Sequence, residues 1–230
     1  MSYPEHLLQN LPQCLTMQEI RNPYIVIEEF FSCYDLSDAR RCLDKWFRSA
    51  FAEKSRLGKK ESLNLLSLQE QLIRLLETAQ LLNDDSANDE KALQLTADDT
   101  TLMNTALYYN PRRNSLAWEC FPRYLSRTEY ANPYIVFEKC LGQLDLTGWR
   151  QFLKDLFYAA TYDTQINEAV TEDDLYYTCK CLFKLVEACH LIKVREIDPG
   201  VSPEPAAPGP AGPTISKEEL QPVAEDLKAA

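Results

Sequence analysis

An internal repeat constrains the fold of this chain more than any other feature of its sequence. The run Asn-Pro-Tyr-Ile-Val at 22–26 recurs at 132–136, an offset of 110 residues. With that offset and no gap, residues 11–82 align with residues 121–192, and 20 of the 72 aligned positions are identical. Unrelated segments of ordinary composition agree at roughly one position in sixteen. The sequence therefore predicts that one folding unit occurs twice.

The identical positions define a repeat signature with two charged members. Asp35 and Arg40 recur in the second copy, where their spacing suits a charge-assisted pair at the corner that joins the first two helices of the unit. The preferred interpretation is that these side chains fix the corner and face solvent. The alternative is that they form a paired recognition surface repeated along the molecule. The signature pairs are Asn22 with Asn132, Pro23 with Pro133, Tyr24 with Tyr134, Asp35 with Asp145, and Arg40 with Arg150.

Each copy is predicted to contain three helices. In the first copy, Asn22 is the expected N-cap of helix one, with Pro23 at the first helical position, and Asp35 or Ser37 caps helix two. The third helix is expected over about 62–82 in copy one and 172–194 in copy two. Alternation with a period of two residues is absent, and the chain has only 6 glycines, so a sheet is not expected. The predicted fold class is all-α, with two tandem three-helix repeats.

Apolar residues at three- and four-residue spacing mark the predicted core faces of these helices. Phe47 and Phe157 occupy equivalent positions on the second helices and are both expected to be buried, so that truncation of each to alanine costs about 3–5 kcal/mol. The main predicted core residues are Leu36, Leu43, Trp46, Phe47 and Phe51; Leu146, Trp149, Leu153, Leu156 and Phe157; Leu65, Leu68, Leu72, Leu75, Leu76, Ala79 and Leu82; and Leu175, Cys179, Leu182, Leu185, Val186, Cys189 and Ile192.

The net charge of −11 is concentrated outside the two predicted repeats. Repeat 1 (1–82) and repeat 2 (111–197) each carry a net charge of −1, whereas the linker at 83–110 carries −5 and the tail at 198–230 carries −4. The linker is expected to contain a short helix near 96–107, and a second short helix is expected at 114–121. The tail holds 7 of the 13 prolines, which predicts a disordered segment. Two nearly neutral repeats argue against a general surface for polyanions.

The eight cysteines are interpreted as free thiols, mostly in the core, of a protein in a reducing compartment. The N-terminal segment has neither a basic region nor an apolar one, so a secretory leader is not expected. No stretch approaches the ~18 uncharged apolar residues of a membrane span. We therefore expect a cytoplasmic protein with no membrane partner.

The inventory of catalytic and metal-binding patterns is short. Cys179, Cys181, Cys189 and His190 are residue types that bind zinc, but residues two apart on a helix project about 200° from each other and cannot converge on one ion. His190 is expected to be a solvated or helix-end histidine, and the acidic cluster at 172–174 to complement a helix dipole. The sequence therefore predicts no catalytic, cofactor-binding or metal-binding residue.

One stretch, between 108 and 130, interleaves aromatic and guanidinium groups. Such a mixture suits nucleic acid, where bases stack and phosphates attract cations, and equally suits a protein hot spot. The preferred interpretation is that the aromatic rings join the two copies while the arginines stay hydrated. The candidate surface residues are Tyr108, Tyr109, Arg112, Arg113, Trp118, Arg123, Tyr124 and Arg127.

The expected function is that of a non-catalytic, intracellular interaction or scaffold protein with a protein partner. One alternative is a nucleic-acid-associated regulator that uses the 108–130 stretch. The other, least favoured, is a small-molecule enzyme with a pocket between the repeats. The sequence does not specify an oligomeric state.

Overall fold

A computed structural model describes residues 11–52, 57–83, 119–162 and 172–197 of this chain, and these residues are helical without a strand. The all-α prediction is confirmed for them. The helices, in chain order, are α1 (Met17–Arg21), α2 (Tyr24–Cys33), α3 (Leu36–Ala50), α4 (Lys59–Asn83), α5 (Arg127–Ala131), α6 (Ile135–Gln143), α7 (Leu146–Tyr162) and α8 (Glu172–Ile192), and a π-helical turn (Lys193–Ile197) follows α8.

Two short helices, α1 and α5, precede the helices that the sequence predicts. Each begins with a capping box, in which a hydroxyl and a glutamate satisfy each other's backbone N–H groups. In α1 the residues are Thr16 and Glu19, and in α5 they are Ser126 and Glu129. Both pairs fit the Ser/Thr-x-x-Glu pattern, so a legible sequence signal was available for these helices.

The N-cap of the third helix in the chain agrees with the prediction, whereas that of the second does not. Asp35 caps α3, because its Oδ1 accepts the N–H of Asp38 at 2.6 Å. Helix α2, however, begins at Tyr24, and Asn22 is the C-cap of α1. The predicted N-cap at Asn22 is therefore wrong: α1 ends there, and Pro23 already has the φ of −62° that leads into α2.

A single hydrophobic core contains side chains from both predicted repeats. Helix α3 packs on α7, and α4 packs on α6 and α7, while α8 packs on α6 and α3. The apolar faces predicted for the third helices are largely correct, since the predicted leucines of α4 and most of those of α8 are buried. Three predicted core residues differ: Phe51 is 48% exposed, and Phe157 and Leu175 are only partly buried.

Both tryptophans of the described core are completely buried, and each indole N–H donates to a carbonyl oxygen. Trp46 donates to Leu156 at 3.2 Å, and Trp149 donates to Cys140 at 2.9 Å. The first of these bonds joins α3 to α7, and the second joins α7 to α6. Buried polar atoms of the largest side chains are therefore satisfied where the helices cross.

Several predicted segments lie outside the described residues: the linker helix near 96–107, most of a second predicted helix at 114–121, and the tail at 198–230. Among the described helices, none combines the length and the low charge that crossing a lipid bilayer requires.

The two equivalent phenylalanines are expected to differ in their contribution to stability. Phe47 is 8% exposed and contacts the ring of Phe183 at 5.4 Å, whereas Phe157 is only partly buried. We expect Phe47→Ala to lower the free energy of unfolding by about 3–5 kcal/mol. Phe157→Ala should cost about 1–2 kcal/mol, because less apolar area is removed from the core. Urea unfolding of both variants measures the difference, and equal losses would contradict it.

Candidate functional site

Arg40 and Glu187 form a buried ion pair between α3 and α8. The guanidinium lies 2.9 Å from the carboxylate, and the exposed fractions of the two side chains are 9% and 0%. Glu187 also accepts the backbone N–H groups of Arg123 and Tyr124, at 2.9 and 2.7 Å. Arg40 donates to the carbonyl oxygen of Phe121 at 2.9 Å. The pair thus holds the segment before α5 against α3 and α8.

We refer to the described residues within 11–83 as the first range and to those within 119–197 as the second range. A second ion pair repeats the arrangement of Arg40 and Glu187 with the roles of the two ranges exchanged. Arg150 of α7 lies 2.7 Å from Glu77 of α4, which is completely buried. Glu77 accepts the backbone N–H groups of Gln13 and Cys14, at 3.0 and 2.8 Å, and Arg150 donates to the carbonyl oxygen of Leu11 at 2.8 Å. Each of these positions corresponds, at an offset of 110, to a position in the first pair. We call Arg40–Glu187 and Arg150–Glu77 the crossed ion pairs.

The crossed ion pairs change the interpretation of the signature arginines. Arg40 is buried rather than solvated, and its carboxylate partner Glu187 lies 147 residues away. Asp35 instead caps α3. Glu77 and Glu187 were not predicted from the sequence as partners of these arginines. Both are identical at the repeat offset and lie on the apolar faces of long helices. A glutamate at two equivalent positions of a core face was the sequence signal that pointed to a buried ion pair.

Carboxylates of the two capping boxes also bind cations from the long helices. Glu129 lies 2.8 Å from Lys139 and 2.7 Å from Lys184. Burial opposes ionisation of Glu129, but hydrogen bonds from Lys139, Lys184 and Ser126 outweigh it and lower its pKa to about 2. At the equivalent position of the first range, Glu19 pairs with Arg74. These carboxylates are held ionised by fixed partners, which suits a structural role more than proton transfer.

His190 is packed against an aromatic ring instead of being solvated. Its ring lies 5.1 Å from the ring of Phe31, and both of its ring nitrogens are buried. Burial, together with the nearby charges of Lys193 and Arg40, lowers the pKa of His190 to about 3. His190 thus lies in the last turn of α8, at the expected helix end, but its ring packs on Phe31 of α2 instead of facing solvent.

All eight cysteines lie in the described residues, and all are free thiols. Four are buried: Cys120, Cys140, Cys179 and Cys189. The expectation of core thiols holds for these, whereas Cys14 and Cys33 are exposed. Within the four described ranges, no group of three or more histidine, cysteine or acidic residues could hold a metal ion. The spacing of Thr171 and Asp174 predicts a capping box at the start of α8, and Thr171 lies outside the described ranges.

The described part of the 108–130 stretch divides into packed rings and exposed arginines. Tyr124 stacks on Phe183, with ring centroids 4.5 Å apart and planes inclined by 12°. Tyr130 is buried, and the guanidinium of Arg195 lies 4.4 Å from its centroid. Arg123 and Arg127 are exposed. The remaining candidates, Tyr108, Tyr109, Arg112, Arg113 and Trp118, lie outside the described residues.

Four contacts along α3 bring the ends of four helices to one end of the molecule. Along α3, the contacts to α8 run from Arg40–Glu187 to Phe47–Phe183, so the two helices are antiparallel. The C-terminal end of α3 therefore lies near the N-terminal end of α8. Lys45 pairs with Glu61 at the start of α4, and the Trp46–Leu156 bond adds the C-terminal half of α7.

This end exposes most of the large apolar side chains that face solvent. Seven of the ten exposed large apolar residues among the described ones lie on these four helix ends, with exposed fractions between 40% and 66%. We call this set the aromatic end. It was not predicted from the sequence, because the apolar stripes alone do not show which rings project beyond the core. Its members are Phe51, Leu63, Leu66, Tyr158, Tyr162, Tyr176 and Tyr177.

Two lysines lie beside tyrosines of the aromatic end. The Nζ of Lys154 is 6.0 Å from the ring centroid of Tyr158, and that of Lys180 is 5.8 Å from the ring of Tyr176. Neither ammonium forms a salt bridge with a carboxylate in the described ranges. Cationic groups next to exposed tyrosines suit recognition of a ligand with both apolar and acidic groups.

Comparison with known proteins gives no match: no protein-family model, no curated protein and no solved structure is significantly similar to this chain. The functional argument therefore depends on the geometry of the chain itself.

Removal of one member of a crossed ion pair is expected to destabilise the fold strongly. Arg40→Ala leaves the completely buried Glu187 without its counterion, which should lower the free energy of unfolding by about 3–5 kcal/mol. Arg41→Ala is the matched control, since that side chain is 73% exposed and should change stability by less than about 0.5 kcal/mol. A loss below about 1 kcal/mol in Arg40→Ala, measured by urea unfolding, would show that the pair is not a stabilising constraint.

The buried His190 predicts a specific dependence of stability on pH. Because its pKa falls from 6.5 to about 3 on folding, only the unfolded chain binds the proton between these values. The folded state should therefore lose up to about 1.4 kcal/mol for each pH unit below 6.5 from this residue. His190→Gln, which introduces the residue found at the equivalent position 80, removes this contribution. Urea unfolding at pH 7, 5 and 4 measures it, and a constant difference between wild type and variant would contradict the assignment.

Proposed function

We propose that this chain is a non-catalytic protein-interaction module, built from a duplicated helical unit, that binds a partner protein at the aromatic end. The observation that carries the proposal is the concentration of exposed tyrosine and aliphatic side chains on four adjoining helix ends. Monomeric proteins rarely expose contiguous large apolar groups without a binding role. Tyrosine in particular supplies interface area at a low cost in side-chain entropy.

The charges around the aromatic end favour one class of partner. Lys154 and Lys180 carry ammonium groups beside exposed rings and have no carboxylate partner among the described residues. A protein segment that presents apolar side chains next to aspartate or glutamate would fill the surface and pair these cations. We therefore infer that the partner is an acidic segment with apolar anchors.

The equivalent contacts at an offset of 110 support the duplication on which this proposal is built. The capping boxes, the cations on Glu19 and Glu129, and the crossed ion pairs all recur with that spacing. At the centre, the hydroxyls of Tyr24 and Tyr134, which are themselves equivalent, lie 3.1 Å apart. This pattern favours two copies of one unit around an approximate two-fold axis. The proposed repeats are 1–82 and 111–197.

A cytoplasmic location belongs to the same proposal. Eight free cysteines, two of them exposed, suit a compartment that keeps thiols reduced. The alternative of nucleic-acid binding through the 108–130 stretch has less support, because one face of the Tyr124 ring is already stacked on Phe183 within the protein.

Selection from a random-peptide display library on the full chain tests the proposal. We expect the selected peptides to carry carboxylates next to leucine or aromatic residues. The double substitution Tyr176→Ala/Tyr177→Ala should weaken their binding at least about tenfold, since both rings are exposed anchors. Lys154→Gln/Lys180→Gln should weaken it less and remove its dependence on salt.

Met17→Ala is the matched control, because Met17 is 66% exposed but lies on α1, outside the aromatic end. Peptides that bind the double tyrosine variant as tightly as the wild type would overturn the proposal. A synthetic peptide of residues 215–227 is titrated in parallel. Tight binding of that peptide at the same tyrosines would assign the surface to the chain's own tail instead of to a partner.

A further inference from the structure

Two cysteines meet where α6 packs on α8. The thiol of Cys140 donates to the backbone carbonyl oxygen of Cys181, with the Sγ 3.5 Å from that oxygen. Cys140 is 1% exposed, whereas Cys181 is only partly buried. The pair therefore combines one partly exposed cysteine with one that is buried.

The pKa values of the two thiols differ in the way that also favours Cys181 as the more reactive cysteine. The hydrogen bond from Cys140 lowers the pKa of Cys181, and Lys184 and Lys180 lower it further, against the opposing effects of burial and of the Glu129 carboxylate. The hydrogen bond and burial raise the pKa of Cys140 well above its ordinary value. Nucleophilic cysteines are typically accessible thiols near cations, and resolving cysteines lie beside them.

We propose that Cys140 and Cys181 form a redox-active pair, in which Cys181 reacts with hydrogen peroxide and Cys140 converts the product to a disulfide between α6 and α8.

The two steps are balanced without any group beyond the peroxide. The Cys181 thiolate attacks one peroxide oxygen, the O–O bond breaks, and hydroxide leaves and takes a proton to form water. Cys181 is then a sulfenic acid. The sulfur of Cys140 attacks the sulfur of Cys181, the S–O bond breaks, and a second water leaves with the proton of the Cys140 thiol. The protein has lost two electrons to the peroxide, and one S–S bond has formed.

No other thiol of the chain combines these properties. Burial raises the pKa of Cys179, the neighbour of Cys181 on α8, to about 12. Burial also raises the pKa of Cys189. In the first range the positions equivalent to Cys140 and Cys181 are Phe30 and Gln71. The thiol pair is therefore not required for packing of the unit and is specific to the second range.

Peroxide treatment of the full chain, followed by peptide mass spectrometry without reduction, tests the inference. We expect a disulfide between Cys140 and Cys181 as the first product, reversed by dithiothreitol. In Cys140→Ser the sulfenic acid of Cys181 should accumulate and react with dimedone. In Cys181→Ser, Cys140 should remain a thiol. Iodoacetamide should label Cys181 at least about tenfold faster than Cys179 under native conditions, because a larger fraction of Cys181 is thiolate.

Cys33→Ser is the matched control, because Cys33 is exposed and lies on α2; it should leave the disulfide unchanged. Circular dichroism under reducing conditions shows whether each variant is folded. Cys140→Ala replaces Cys140→Ser if the serine variant fails to fold. Oxidation that begins at Cys14 or Cys33, or a Cys181 sulfenic acid that persists in the wild-type chain without cross-linking, would overturn the proposal.

Discussion

The crossed ion pairs are the interaction on which the rest of the structure depends. Removing a guanidinium and a carboxylate from water costs several kcal/mol for each ion, and this cost is offset only when the remaining donors and acceptors are satisfied. Glu187 meets that condition with two backbone N–H groups and Arg40, and Glu77 meets it in the same way. Every one of these donors comes from a segment distant in the chain. Neither carboxylate is therefore satisfied until both ranges are in place.

This dependence explains why one core serves both ranges. The core faces of α4 and α8 each contact helices from the other range, so neither range buries its apolar stripe alone. The tryptophans show how the shared interface is filled. At the repeat offset, Trp46 corresponds to Leu156, and Ala39 corresponds to Trp149. Large and small side chains exchange places between α3 and α7, which preserves close packing without identical residues.

The sequence predicts the periodic part of this structure and not its long-range pairing. The apolar stripes on α3, α4, α7 and α8 follow from the spacing of apolar residues, because the face on which a residue lies is set by its position within its own helix. The partner of Arg40 does not, since no periodicity connects it to a glutamate 147 residues away. His190 illustrates the same limit. Its expected exposure was inferred from its position near a helix end, whereas Phe31, which lies in the first range, packs against its ring. The aromatic end was missed for a related reason, since exposure depends on which neighbour covers a ring.

A duplicated unit within one chain, as we propose, allows its two copies to differ where pairing does not constrain them. The positions of the crossed ion pairs are identical at the repeat offset, whereas the exposed rings are not: Tyr158 corresponds to Arg48, and Tyr177 to Ser67. A homodimer of one unit would have to present every such residue twice. In a single chain, the buried pairs hold the common framework while the second range gains tyrosines and thiols that the first lacks. Joining the proposed copies in one chain thus allows the surface residues of the two ranges to differ while the buried ion pairs stay equivalent.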